Sequence, residues 1–273
     1  MEYGKNNKDQ TGNMQGKLLI AMFFVLLFLV GVIFIFLDPF SGRVPIPEKT
    51  SQMILVKTPG LTASKGKLYR FERISSNSPW RKTGESIPII TGRNGLGWGI
   101  GLHKLDSTMY PRKVEGDGRS TAGVFELGYA FGFPDSSKVG NLNIEYVKVN
   151  KLLECIDDAE SRYYNRMVKN NKVDTIDWNS SEVIRRSPTA YYLGVFVKHN
   201  KNPVKPGSGS CIFLHTWTAP DDSTAGCTTM SKDNMTKIVK WLNAEYNPVL
   251  VQLTDSLYVK YQDRWQLPEL TGN

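Results

Sequence analysis

The sequence predicts a mainly β domain, a mixed sheet or sandwich with a few short helices, preceded by one transmembrane helix. Three observations predict it. Leu18 to Leu37 is an unbroken run of twenty residues without a charge. Beyond it, apolar stretches stay short and are bounded by Gly, Pro and Asp, the pattern of strands and turns. A helical stripe of Met235, Ile238, Val239 and Leu242 stands out late in the chain.

The N-terminal segments come first. Twenty apolar residues at ~1.5 Å rise span the ~30 Å hydrocarbon core of a bilayer. A cleaved signal peptide has a shorter apolar core and a small-x-small cleavage site. "DPFSGRVPIP" after the span offers no such site, so residues 18–37 read as an uncleaved signal anchor. Lys5, Lys8 and Lys17 precede the span, whereas only Arg43 and Lys49 follow at a comparable distance. That asymmetry places the tail, residues 1–17, in the cytoplasm and the rest outside. Residues 38–52, rich in Pro, Gly and Ser, read as a linker to a domain spanning 53–273.

The chain carries a formal charge of +8, of which +7 lies beyond the tail. This suits solubility, or an anionic wall polymer. No Lys/Arg stripe with interleaved aromatics appears, which argues against nucleic acid. Three cysteines in an oxidising compartment are an odd number and point to one disulfide and one free thiol.

Strands are expected at "MILVK" from Met53, at "GKLYRFERI" from Gly66, and at the start of "ESIPIITGRNGLGWGIGLH". The five glycines from Gly92 to Gly101 suggest a phosphate loop only superficially. No G-K-[ST] ending and no helix pattern follow, so they read as a tightly packed β-turn region. "KVEGDGRSTAGVFELGYAFGF" predicts further strands and turns, "CIDDAESRYYNRMVKNN" a helix or loop, and "YYLGVFVKHN" a strand.

The stretch from Ser210 to Met230, "SCIFLHTWTAPDDSTAGCTTM", holds two of the cysteines and one of the three histidines. "SCIFLHTW" is β-branched and aromatic, and its alternation places Cys211, Phe213, His215 and Trp217 on one face. Ser231 reads as a helix N-cap, with Met230 and Met235 as a hydrophobic staple. The predicted order is strand, loop, Gly-Cys, helix, with "NPVLVQL" as the next strand.

Zinc is a poor fit to these residues. Four steps along a strand separate Cys211 from His215 by ~13 Å, too far for one ion with bonds of ~2.0–2.3 Å. Cys227 is the better candidate nucleophile. Gly226 before it leaves room for a substrate carbonyl, and a helix beginning nearby would favour a thiolate and an oxyanion. His215, across an eleven-residue loop, is placed to return as the base. The competing reading is one buried cysteine and one satisfied core histidine.

A histidine ending a strand, then a loop, then small-Gly-Cys resembles the active-site signature of the L,D-transpeptidase catalytic-domain family. "GRNGLGWGIGLH", "KVEGDGRSTAGVF", "CIDDAESRYYN", "YLGVFVKHN" and "GSCIFLH" resemble a periplasmic or wall-facing branch of it, together covering most of residues 53–253. The resemblance implies a β-rich fold with the nucleophile in a cleft, and peptidoglycan chemistry without metal or organic cofactor. Cys227 would attack the carbonyl of the diamino acid in a donor stem peptide, releasing the terminal D-residue, and an amine acceptor would resolve the thioester. His215 matches the histidine that activates the thiol. Gly226 matches its small neighbour, with the backbone N–H groups of Gly226 and Cys227 holding the oxyanion. Cys155 and Cys211 both lie in family-like stretches and are candidates for the disulfide, against two buried thiols.

The departures are specific. Many members carry Ser/Thr-His-Gly-Cys and an Arg two residues later, where this chain has Ala225 and Thr229. The Thr-Pro-x-Gly-x-Phe stretch appears as Ser120 to Phe125 without its proline. Trp98, Trp217 and His199 are candidate cleft walls, against core packing for the tryptophans and a satisfied surface position for His199 and His103. Asp221, Asp222 and Ser223 either orient His215 or merely solvate the loop. The expected function is a membrane-anchored peptidoglycan L,D-transpeptidase of the periplasmic or wall-facing side of the cytoplasmic membrane. Hydrolysis of stem peptides by the same pair, or a non-catalytic peptidoglycan scaffold, are the alternatives.

Overall fold

The computed structural model describes Met22, residues 44–105 and residues 107–270. The expected tail and anchor therefore lie outside the described residues apart from Met22. Among the described residues no helix is long and apolar enough to cross a membrane.

Residues 44–52, expected to be linker, instead pack on the domain. Ile46 and Thr50 are buried. The Arg73 guanidinium donates to the carbonyls of Thr50 and Pro47 at 2.7 and 3.2 Å. A Pro-rich composition signals the lack of regular structure here, not the lack of contact.

Among the described residues, fourteen strands follow in chain order. The first five are β1 (Gln52–Thr58), β2 (Lys65–Glu72), β3 (Arg81–Lys82), β4 (Ile87–Ile90) and β5 (Leu96–Trp98). A long β6 (Ser120–Gly132), the short helix α1 (Ser136–Val139) and β7 (Tyr146–Lys148) come next. Then come β8 (Leu153–Ile156), β9 (Met167–Lys169), β10 (Ser181–Glu182), β11 (Leu193–Val197) and β12 (Phe213–Thr216). The chain continues through β13 (Thr228–Met230), α2 (Lys232–Trp241), β14 (Val249–Thr254) and α3 (Asp255–Tyr261).

Eight of these strands close on themselves, in the order β1, β14, β6, β11, β12, β13, β4, β2, with β2 pairing back onto β1. The expected mixed sheet or sandwich takes the form of a mixed sheet closed into a barrel-like ring. Closure removes the edges that an open sheet would leave unpaired. The ring is mixed: β1–β14 and β12–β13 are parallel, and the remaining pairs are antiparallel.

Both faces of β1 are buried, and alternation divides it between two cores. Ile54 and Val56 join the core filled by the α2 stripe of Met235, Ile238, Val239 and Leu242. Met53 and Leu55 join a second core closed by Tyr258, Tyr261 and Trp265. Ser231 caps α2, its hydroxyl accepting the Asn234 N–H at 3.3 Å.

A separate three-stranded sheet, β10-β8-β9, lies in the segment expected to be helix or loop. A third core beneath it includes Phe131, Cys155, Tyr191, Phe213 and Cys227. A disulfide joins Cys155 of β8 to Cys211 just before β12, and Cys227 is free. The small sheet is thereby stitched covalently to the barrel strand that carries His215.

Candidate active site

Leu214 lies opposite Thr228 and His215 opposite Thr229 where β12 and β13 run in parallel. Residues paired in this way share a face, and every second residue returns to it. Cys227, two residues before Thr229, therefore shares the face of His215. Strand spacings put their α-carbons roughly 8 Å apart. Both line one cavity of about 370 Å³, with Trp217, Glu182, Tyr191 and Lys113 also in its wall. A second depression of about 270 Å³, around Glu126 and Asn247, has neither a cysteine nor a histidine in its lining.

The His215 ring is fixed from one side. Its Nδ1 lies 3.0 Å from the Ala190 carbonyl and 2.8 Å from the Thr216 carbonyl. Only a protonated Nδ1 satisfies those acceptors, so Nε2 is the bare, basic nitrogen. Burial holds the imidazole below its ordinary range, the two carbonyls opposing in part. Tyr191 packs on the ring at a tilt of 45°, centroids 4.8 Å apart. Asp221 instead pairs with Lys65 on the surface at 2.6 Å, and Asp222 and Ser223 line the cavity without bonding the imidazole.

Cys227 is held by backbone. Its sulfur accepts the Phe213 N–H at 3.3 Å and its thiol donates to the Cys211 carbonyl at 3.6 Å. Burial pushes the thiol up to about 12; the Phe213 N–H and Lys113 pull it down, and Glu182 pushes it further up. The cavity thus holds a neutral Cys227 thiol and a neutral His215 imidazole.

This corrects the helix-mouth expectation. β13 and Ser231 stand between Cys227 and α2, about 13 Å of extended chain. A helix dipole acts only within its first turn, so it gives no thiolate here. Cys211 also departs from the strand reading. Its φ of 53° is left-handed, so β12 and its alternation start at Phe213.

The turn that presents Cys227 is pinned by two hydroxyls. Ser120 Oγ donates to the Cys227 carbonyl at 2.7 Å and accepts the Gly92 N–H at 2.8 Å. Thr224 Oγ1 donates to the same carbonyl at 2.6 Å and accepts the Gly226 N–H at 3.1 Å. The Gly226 N–H, one of the two expected oxyanion donors, is therefore engaged within the turn. Space at 226 is tight: a Cβ there would stand 3.1 Å from the Arg119 carbonyl, which would have to shift by a few tenths of an ångström to admit it.

Trp217 is in the cavity wall, but the other two expected wall residues are elsewhere. Trp98 is buried in the second core, edge-on to Tyr261 and Trp265. His199 is buried behind the site, its Nδ1 accepting the Ile100 N–H at 3.1 Å and its Nε2 facing the Ser208 carbonyl at 2.9 Å. Its two nitrogens clamp neighbouring loops, a role that strand alternation does not reveal. His103 is likewise buried and accepts the Val124 N–H at 3.1 Å.

Sequence reasoning missed Lys113, Ser120, Glu182, Tyr191 and Thr224. Only Thr224 carried a local signal, its place in the Thr-Ala-Gly-Cys turn; the others arrive from strands and loops remote in sequence. Lys113 is the one cation among the residues lining the cavity, and its ammonium donates to Asp117 at 2.6 Å and to the Val114 carbonyl at 2.8 Å. Glu182 sits across the small sheet from Cys155. It accepts a hydrogen bond from the Tyr191 hydroxyl, and burial raises its carboxyl. Among the described residues no group of three or more His, Cys, Asp or Glu could hold a metal ion.

With this geometry in place, comparison with protein families gives one match. The chain is similar to the YkuD family, described as the L,D-transpeptidase catalytic domain, over residues 70–251, two-thirds of its 273 residues. Comparisons with curated proteins and with solved structures give no match.

Proposed function

The chain belongs to the YkuD family of L,D-transpeptidase catalytic domains, and from that premise we propose that it is a peptidoglycan L,D-transpeptidase with Cys227 as nucleophile and His215 as base. The observation that carries the assignment is the single cavity shared by these two side chains, with Nδ1 of His215 tied to two carbonyls. A tied Nδ1 leaves Nε2 as the proton acceptor, which is the tautomer a cysteine nucleophile needs.

The donor stem peptide enters the cavity and displaces water. Nε2 of His215 takes the thiol proton as Sγ attacks the carbonyl of the diamino acid. The Cys227 N–H stabilises the oxyanion of the tetrahedral intermediate. His215 returns the proton to the departing amine of the terminal D-residue, leaving a thioester. An amine acceptor then attacks that thioester, and His215 carries a proton from its nitrogen to the departing sulfur as the C–S bond breaks, leaving a new amide bond and the free thiol.

Anchoring through residues 18–37, with the domain in the periplasm or facing the wall, completes the proposal and rests on the sequence alone. Protease digestion of intact and permeabilised cells tests it: a domain digested only after the inner membrane is opened refutes this orientation.

The chemistry is tested by incubating the full chain with a stem tetrapeptide and following Cys227 and the peptide by mass spectrometry. The expected result is an acyl adduct confined to Cys227 and cross-linked product. Shortened peptide without cross-links reassigns the protein as a hydrolase. Intact peptide with unmodified Cys227 refutes both enzyme readings.

A further inference from the structure

We propose that Glu182 receives the second substrate, binding the ammonium group of the amine acceptor beside the acylated Cys227. This rests on the transpeptidase reading and deepens it by naming the residue that selects for a cationic acceptor.

Three observations converge on Glu182. First, its position is built. It faces Cys155 across the small sheet, Cys155 is bonded to Cys211, and the Cys211 carbonyl accepts the Cys227 thiol. A continuous covalent and hydrogen-bonded path therefore sets the carboxylate relative to the nucleophile, and both line the same cavity. Second, its partner leaves it free to bind. Tyr191, which packs on His215, donates one hydrogen bond to it. A carboxylate has about four acceptor sites. Among the described residues, Arg186 is the one cation that bears on it, as the weakest of its influences.

Third, Glu182 works against the first half of the reaction. Its charge opposes ionisation of the Cys227 thiol. Nor does it serve as a third catalytic member behind His215, because the groups that bear on that imidazole are the Thr216 and Ala190 carbonyls. A half-buried carboxylate that hinders thiol ionisation and leaves His215 alone has a use once a cation arrives. The acceptor is that cation, since an aliphatic amine at neutral pH is an ammonium.

The step balances as follows. The acceptor R–NH3+ docks on Glu182 and passes one proton to its carboxylate, whose proton affinity burial has already raised. The neutral nitrogen attacks the thioester carbonyl and forms the C–N bond. His215 takes the second proton from nitrogen as the C–S bond breaks, and returns it to the sulfur. Glu182 then releases its proton to water.

The test compares two nucleophiles on the full chain loaded with donor tetrapeptide: D-alaninamide, cationic at neutral pH, and hydroxylamine, uncharged there. In Glu182→Gln, thioester formation at Cys227 should be no slower than in the unmodified chain, because the charge that opposes thiol ionisation is gone. KM for D-alaninamide should rise roughly ten- to a hundredfold, the value of a charge-assisted hydrogen bond. Transfer to hydroxylamine should be unchanged, and Glu182→Asp should recover part of the loss. Equal losses with both nucleophiles, or none with D-alaninamide, overturn the proposal. Absence of any thioester on the unmodified chain overturns the underlying transpeptidase reading instead, so the two failures are told apart.

Discussion

Replacing Cys155 with Ala should lower both the stability of the domain and the reactivity of its nucleophile. The disulfide closes a loop with a sequence separation of 56. In the chain-entropy treatment, opening a loop of that size releases about 4 kcal/mol of unfolded-state entropy. For a domain of this size each kcal/mol moves the thermal midpoint by ~2–4 °C, giving a fall of about 8–16 °C. The functional consequence has a separate cause. Cys211 holds a left-handed backbone, and its carbonyl and the Phe213 N–H are the two groups on Cys227 sulfur. Without its tether that segment relaxes, and acylation of Cys227 should slow by about tenfold, equivalent to one weakened hydrogen bond. The assay is thermal unfolding of the full chain with and without a thiol reductant, paired with the rate of Cys227 acylation by donor peptide. Reductant should lower the midpoint of the unmodified chain and leave Cys155→Ala unmoved. A midpoint change under about 3 °C, or an equal reductant effect on both proteins, would refute the reasoning.

The remaining predictions concern the pair, its turn and the buried histidines. His215→Gln should cut turnover by about 10²–10⁴-fold with the fold retained, as judged by circular dichroism; an active variant removes His215 from the mechanism. Because burial lowers the imidazole from 6.5, the acid limb of kcat should fall below that pH, and a limb above it would contradict a neutral resting pair. Ser120→Ala leaves the buried Gly92 N–H unpaired, so urea titration should find a loss of ~1–3 kcal/mol; no loss would mean that another group satisfies that N–H. His103 and His199 are held by burial at about 4 rather than 6.5. Between those values the unfolded chain binds protons that the folded chain refuses, so stability falls as pH falls through that window. The slope approaches ~2.7 kcal/mol per pH unit for the two groups together, and a flat urea midpoint from pH 6.5 to 4 would sink this account.

The strands were legible wherever local pattern decides them. "MILVK", "GKLYRFERI" and "NPVLVQL" each became strands because β-branched and aromatic residues alternate between two apolar cores. The capped α2 stripe was legible for the same reason at a different period. Ring closure was not, because β1 pairs with β2, its chain neighbour, and also with β14, nearly two hundred residues away. No local period encodes that pairing. Cys211 was misplaced in β12 because "SCIFLH" reads as one unbroken apolar, β-branched and aromatic run; the disulfide and the left-handed backbone that break the strand there are tertiary facts. Trp98 and His199 show the same limit from the other side. Trp98 ends β5 and His199 follows β11, yet edge-on aromatic contacts hold the first in the second core and two backbone hydrogen bonds hold the second between neighbouring loops. The cysteine pairing was nameable only through family resemblance, and Glu182 and Lys113 had no local signal at all.

The electrostatics of the site constrain when its chemistry begins. A thiol held near 12 beside an imidazole held below 6.5 does not form an ion pair at rest. In the proposed reaction, proton transfer therefore accompanies attack on the carbonyl, with the oxyanion and the imidazolium appearing together. That coupling makes donor binding the trigger, because the oxyanion exists only when a carbonyl occupies the cavity. It also protects the enzyme: oxidants react with thiolates, and the resting thiol is both buried and protonated. Glu182 fits this proposed order of events: burial keeps the resting thiol protonated, the Glu182 charge adds to it in smaller measure, and that charge would become favourable once the thiol is acylated and an ammonium approaches. On this proposal the carboxylate opposes thiol ionisation in one half of the cycle and recruits the acceptor in the other. A site whose nucleophile were a standing thiolate would need the opposite charge at that position.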